Sequence, residues 1–146
     1  FIDTGTPPGG PAPGGPPAAS KAAAAQARAI SDNCTQFPTT TGAGVTAFNE
    51  FVTAHDSNAP DYAAKREAAA ATLDDAALEV ETGVTTAAGA LPADLAEKFT
   101  AYVLAARELS AETRKMTYSS QVTKLNDASR TINQARTAVH DACPSR

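Results

Sequence analysis

The stretch PADLAEKFTAYVLAARELSAETRKMTY, residues 92–118, carries the clearest pattern in the chain. Leu95, Phe99, Tyr102, Ala106, Leu109, Thr113 and Met116 follow one another at an unbroken 4,3,4,3 spacing. With 3.6 residues per turn, that spacing lines one face of an α-helix. Asp94 and Glu97 stand near its start and Arg114 and Lys115 near its end, the arrangement the helix dipole favours. The stretch predicts one long helix with a buried stripe.

Downstream, Val122, Leu125, Ile132, Val139 and Cys143 share one side of a further helix. No Gly or Pro separates it from the first. A single helix over 92–142 would run about 75 Å at 1.5 Å per residue, far too long for a domain of this size. A turn is therefore expected at Ser119-Ser120.

Upstream, Tyr62, Ala69, Leu73, Ala76, Val80 and Ala87 mark a helix over 60–88, with Asn58 as its cap, Pro60 in its first turn and Gly89 at its end. Val45, Phe48, Val52 and His55 mark a short helix over 43–56. Ala23, Ala27, Ile30 and Cys34 mark another over 21–34, capped by Ser20. Phe37-Pro38 and the Thr- and Gly-rich run behind it read as a loop. The expected fold is an all-α, up-and-down bundle of four to five helices. With five, the first and last run parallel, and Cys34 and Cys143 fall at the same end.

PPGGPAPGGPP, residues 7–17, has no apolar side chain larger than Ala12 and cannot offset its own ordering entropy. Residues 1–19 are expected to be a flexible, semi-stiff tether, and 20–146 the helical domain. Hydrophobic residues make up 42% of the chain, but alanine dominates them, aromatics are 5%, and there is no Trp. Alanine forms helices readily and buries little area, so the core should be closely packed and thin.

The net charge is −4 and no basic cluster occurs, which argues against nucleic-acid binding. No run reaches the length of a membrane span. The chain opens on Phe1 rather than Met, which fits a removed signal peptide, a removed membrane anchor or a chosen cut. Two widely spaced cysteines make neither a zinc site nor a C-x-x-C redox pair. A Cys34–Cys143 disulfide would place the protein in an oxidising, extracytoplasmic compartment; two free thiols in the cytosol are the alternative.

Other candidate groups have plain readings beside the functional ones. His55-Asp56 and His140-Asp141 would need to converge to hold a metal or share a proton, and the bundle sends them to opposite ends. Glu67, Asp74, Asp75, Glu79 and Glu81 read as a solvated acidic face, with a calcium or partner-binding patch as the alternative. Asn33-Cys34-Thr35 fits the glycosylation pattern. Tyr62, Tyr102, Met116 and Tyr118 are the candidate contacts for a ligand or partner: they either line an interior pocket for haem or a lipid chain, or simply pack the core. No catalytic constellation or cofactor motif can be assembled, so no enzyme, metal or cofactor is expected.

The Ala/Thr/Pro-rich chain, its Pro/Gly linker, Cys34 early and Ala142-Cys143-Pro144 at the end together resemble the small exported or membrane-anchored cell-envelope proteins of actinobacteria. There is a fainter likeness to helical fungal cell-wall proteins that bind hydrophobic surfaces, from which the cysteine pair and the tether depart. The resemblance implies a cell-envelope location. The expected function is a non-catalytic module that binds a protein or cell-wall partner, touching the membrane only through a removed anchor. The alternative is a carrier of lipid or haem between the helices.

Overall fold

Alanine-rich segments with few helix breakers should propagate as long helices, and in the computed structural model they do. It describes residues 17–117 and 122–144, with side chains from 21 onward. Among these residues there are four helices and no strand: α1 (Pro17–Asp56), α2 (Tyr62–Thr86), α3 (Ala93–Arg114) and α4 (Thr123–Ala142). Each packs antiparallel on the next, and α1 meets α4 only sparsely. None is long and apolar enough to cross a membrane.

The segments expected over 21–34 and 43–56, and the loop between them, form one 40-residue helix with Pro38 inside it. Proline removes one N–H and costs about 3 kcal/mol in a helix interior, and the Thr and Gly run that follows adds to the penalty. Tertiary packing overrides it. Phe37 is buried, with its ring centroid 5.6 Å from that of Phe99 and 5.1 Å from that of Tyr102. Thr41 is buried too, and its hydroxyl donates to the Phe37 carbonyl oxygen at 2.8 Å. Gly44 lets Leu73 of α2 approach so closely that a Cβ would lie 3.2 Å from its Cδ2.

The disulfide forms as expected, Cys34 to Cys143, although the five-helix geometry does not hold. With four helices, α4 runs antiparallel to α1. Its C-terminal end therefore comes level with the middle of the 40-residue α1, where Cys34 stands. The start of α1 reaches past the point where Gly83 of α2 meets Asn33. Residues 21–28 are all exposed, Ala23 and Ala27 included, contrary to the stripe expected for them.

The stripe read from 92–118 is the core. Leu95, Phe99, Tyr102, Ala106, Leu109, Thr113 and Met116 are all buried, and α3 ends at Arg114 with Met116 just beyond it. On α4, Leu125, Ile132 and Val139 are buried, while Val122 is exposed. The chain breaks between Arg114 and Thr123, as the length argument requires; the turn assigned to Ser119-Ser120 lies outside the described residues.

Two junctions differ from expectation. Asn58 does not cap α2; it closes α1. Its φ of 53° is left-handed, a region Asn tolerates, and the Ala59 N–H reaches back to the Ala54 carbonyl at 2.9 Å. Helix α1 begins at Pro17 rather than after Ser20, since Ala18 and Ala19 extend a helix readily and proline suits a first turn.

Candidate functional site

The four residues expected to contact a ligand do not form one pocket. Tyr62 and Met116 are buried near the junction of α1 and α2, where the Tyr62 ring centroid lies 5.5 Å from Phe51 and 5.6 Å from His55. Arg66 covers this cluster, donating to the Met116 carbonyl oxygen at 3.0 Å with its guanidinium 5.8 Å from the Tyr62 ring. Tyr102 belongs to a separate aromatic group with Phe37 and Phe99. Tyr118 lies outside the described residues. The three that are described are core packing.

His55 is mostly covered, with its side chain 13% exposed, and its Nδ1 lies 3.4 Å from Asp56. His140 is exposed beside Asp141. Since Cys143 meets Cys34, His140 sits near the middle of α1, about 30 Å along that helix from His55. The two pairs stay apart, although not at the far ends of a five-helix bundle. No group of three or more His, Cys, Asp or Glu among the described residues could hold a metal ion.

Much of the acidic face of α2 is used to hold α3. Arg107 donates to Glu81 at 2.9 and 3.3 Å, and Arg114 to Asp74 at 2.7 Å, with Glu67 3.7 Å away. The hydrogen bond from Arg107, and then its charge, hold the Glu81 carboxyl below its ordinary value. These pairs are exposed and contribute little each. Asp75 is exposed on α2, and Glu79 faces α1, accepting one long hydrogen bond from Thr40 at 3.4 Å.

Among the clefts that open along α1 are two of contrasting character. The larger, about 680 Å³, lies between the first half of α1 and the last half of α2. Ala25, Ala29, Ala87 and Ala90 make it smooth, Arg28, Asp32 and Glu79 supply charge, and Leu78, 56% exposed, stands beside it. Where the helices close, Asn33 is tied to the Ala29 carbonyl oxygen at 2.9 Å and rests on Gly83, where any Cβ would collide with its Oδ1. The smaller cleft, about 250 Å³, lies between α1 and α4 and is lined by Cys34, Phe37, Pro38, Arg136, Val139 and Cys143, among others. Within that seam, Arg136 Nε donates to Thr41 Oγ1 at 3.1 Å. Beside it, the Tyr102 hydroxyl is fully buried with no hydrogen-bond partner among the described residues. Burial pushes its pKa up to about 12, against the opposing pull of the Arg136 charge.

Sequence reasoning passed over both clefts. The first is built of alanines, which carry no chemical signal. The second had one available sign. Arg136 borders the buried stripe of α4, yet its neighbours three and four positions away, Ile132, Asn133, Val139 and His140, include no carboxylate to pair with it.

These features define an all-α four-helix bundle whose first and last helices are tied by one disulfide. The profile of the Rv2240c four-helix bundle domain, a mycobacterial protein family, matches residues 16–144, and the chain belongs to that family. This membership is consistent with an actinobacterial origin. Comparisons with curated proteins and with solved structures found no match.

Proposed function

We propose that this bundle is a non-catalytic, extracytoplasmic module that docks a protein or cell-envelope partner in the groove between α1 and α2. The observation that carries the reading is the groove itself. It is open, about 680 Å³ in volume, floored by alanines and bordered by the exposed Leu78. Small side chains let another backbone come close, and Arg28, Asp32 and Glu79 at the margins can fix its register. That combination suits the apolar face of a partner helix. The exposed alanines of 21–28 prolong the same surface beyond the end of α2. The disulfide supports an oxidising, extracytoplasmic setting.

The alternative, a carrier of lipid or haem between the helices, draws no support from Tyr62, Tyr102 or Met116, because all three are packed in the core. Native mass spectrometry of the protein isolated from its own host tests the choice. A stoichiometric protein or envelope fragment that is lost in Leu78→Asp is the expected result. A bound lipid or haem mass, retained in that variant, would refute the reading.

A further inference from the structure

The cleft on the other flank of α1 has a different character. Arg66, Arg107, Arg114 and Arg130 each meet a carboxylate. Arg28 meets none among the described residues, but it is exposed to solvent. Arg136 is half-buried and meets none among the described residues. Of the five N–H groups a guanidinium carries, its Nε–H alone has an acceptor among the described residues, Thr41 Oγ1 at 3.1 Å. That acceptor is fixed, because the buried Thr41 hydroxyl is itself donating to Phe37. The guanidinium is thereby held by one edge. Its Nη1/Nη2 edge remains available, with the fork geometry that matches a carboxylate in a bidentate pair.

The rest of the cleft is mainly apolar, formed by the edge of Phe37, Pro38, Val139 and the Cys34–Cys143 bridge. Its volume of about 250 Å³ equals roughly eight liquid-water volumes. One further positive charge could come from His140 on the rim, but Asp141 stands 3.5 Å from it and offsets it. One unpaired cation beside an apolar wall suits a singly charged acid better than a phosphate dianion.

We propose that the α1/α4 cleft is a binding site for a small amphipathic carboxylic acid, with the carboxylate on the Nη edge of Arg136 and the apolar body along Phe37, Val139 and the disulfide. The site stands independently of whether the α1/α2 groove docks a partner. Octanoate is the probe, titrated into the intact disulfide-bonded protein and followed by nitrogen–proton NMR, including the Arg side-chain resonances. Saturable shifts at the Arg136 Nε–H, the Thr41 amide and the Val139 amide are expected. Octanol, which lacks the charge, and acetate, which lacks the apolar body, should each bind weaker by about tenfold or more, the equivalent of one lost contact. Arg136→Gln should weaken octanoate by a similar factor, and Arg28→Gln should not. Equal binding of octanol and octanoate, tighter binding of inorganic phosphate, or no shift at Arg136 at millimolar octanoate would each overturn the assignment. All three of these comparisons use the unaltered protein, so they decide the matter even if Arg136→Gln unfolds.

Discussion

Removing the disulfide is the perturbation whose size follows most directly from the architecture. Cys34 and Cys143 are 109 residues apart, so their bond closes nearly the whole bundle into one loop. In the chain-entropy account, a loop of that length withdraws about 4.7 kcal/mol of freedom from the unfolded chain. Domains of this kind hold only about 5–15 kcal/mol in total. Unfolding entropy of about 2.1 cal/mol/K per residue, over roughly 125 residues, converts 4.7 kcal/mol to a drop of about 18 °C in melting temperature. The effect should also be local. Helices α1 and α4 touch only sparsely elsewhere, so without the bond the C-terminal half of α4 loses its tie to α1. Thermal melts of the oxidised protein and of a Cys34→Ser/Cys143→Ser variant test the magnitude. Hydrogen exchange should show the largest gain in α4. A melting temperature lowered by less than about 5 °C, with no change in α4 exchange, would refute the reasoning.

Three further outcomes are expected. Phe99→Ala empties a site that is 1% exposed and should cost about 3–5 kcal/mol in urea melts, whereas Lys98→Ala should change stability by less than about 0.5 kcal/mol. Tyr102→Phe discards a buried hydroxyl without a hydrogen bond, so it should be neutral or stabilising by about 1 kcal/mol at pH 7. The Tyr102 phenol titrates higher in the folded chain than in the unfolded one, so the unfolded chain ionises first. Stability from this group is intact below about pH 10 and lost as pH rises towards about 12, a slope that Tyr102→Phe should remove. The two small residues of α2 and its end should respond with opposite signs. Ala88→Gly relieves a φ of 53° and should stabilise by about 0.5–1 kcal/mol. Gly83→Ala gains at most about 1 kcal/mol of helix propensity against about 1–3 kcal/mol of overpacking on Asn33. It should destabilise the protein, and Asn33→Ala should recover part of the loss.

The bundle was legible wherever burial is periodic. Every member of the 95–116 series is buried, and the break before α4 followed from length alone. It was not legible at Pro38. There the local signals all point to a loop, and what overrides them is Phe37 packing on Phe99 and Tyr102, residues more than sixty positions away. Asn58 misled for a related reason: the same residue type caps a helix start or closes a helix end, and only its backbone angle tells which. The cysteine pairing was legible from the wide spacing and the absence of a C-x-x-C pair, while the five-helix parity offered in its support is replaced by a longer first helix. Of the candidate contacts, Tyr62, Tyr102 and Met116 are aromatic or soft residues at helical spacing, a pattern that serves a core as readily as a pocket. The α1/α2 cleft is made of alanines, which leave no mark in local sequence, and the α1/α4 cleft of one arginine whose local sign is the lack of a carboxylate three or four positions away, its partner Thr41 lying 95 positions off.

Site-specific photo-crosslinking in the native host tests partner docking most directly. A photoreactive side chain is placed in turn at positions 25 and 78, which line the α1/α2 groove, and at 124, exposed on α4. The account predicts that positions 25 and 78 capture the same envelope protein or wall component, that position 124 does not, and that Ala29→Arg abolishes the capture. Crosslinks to lipid, or equal capture from position 124, would contradict it.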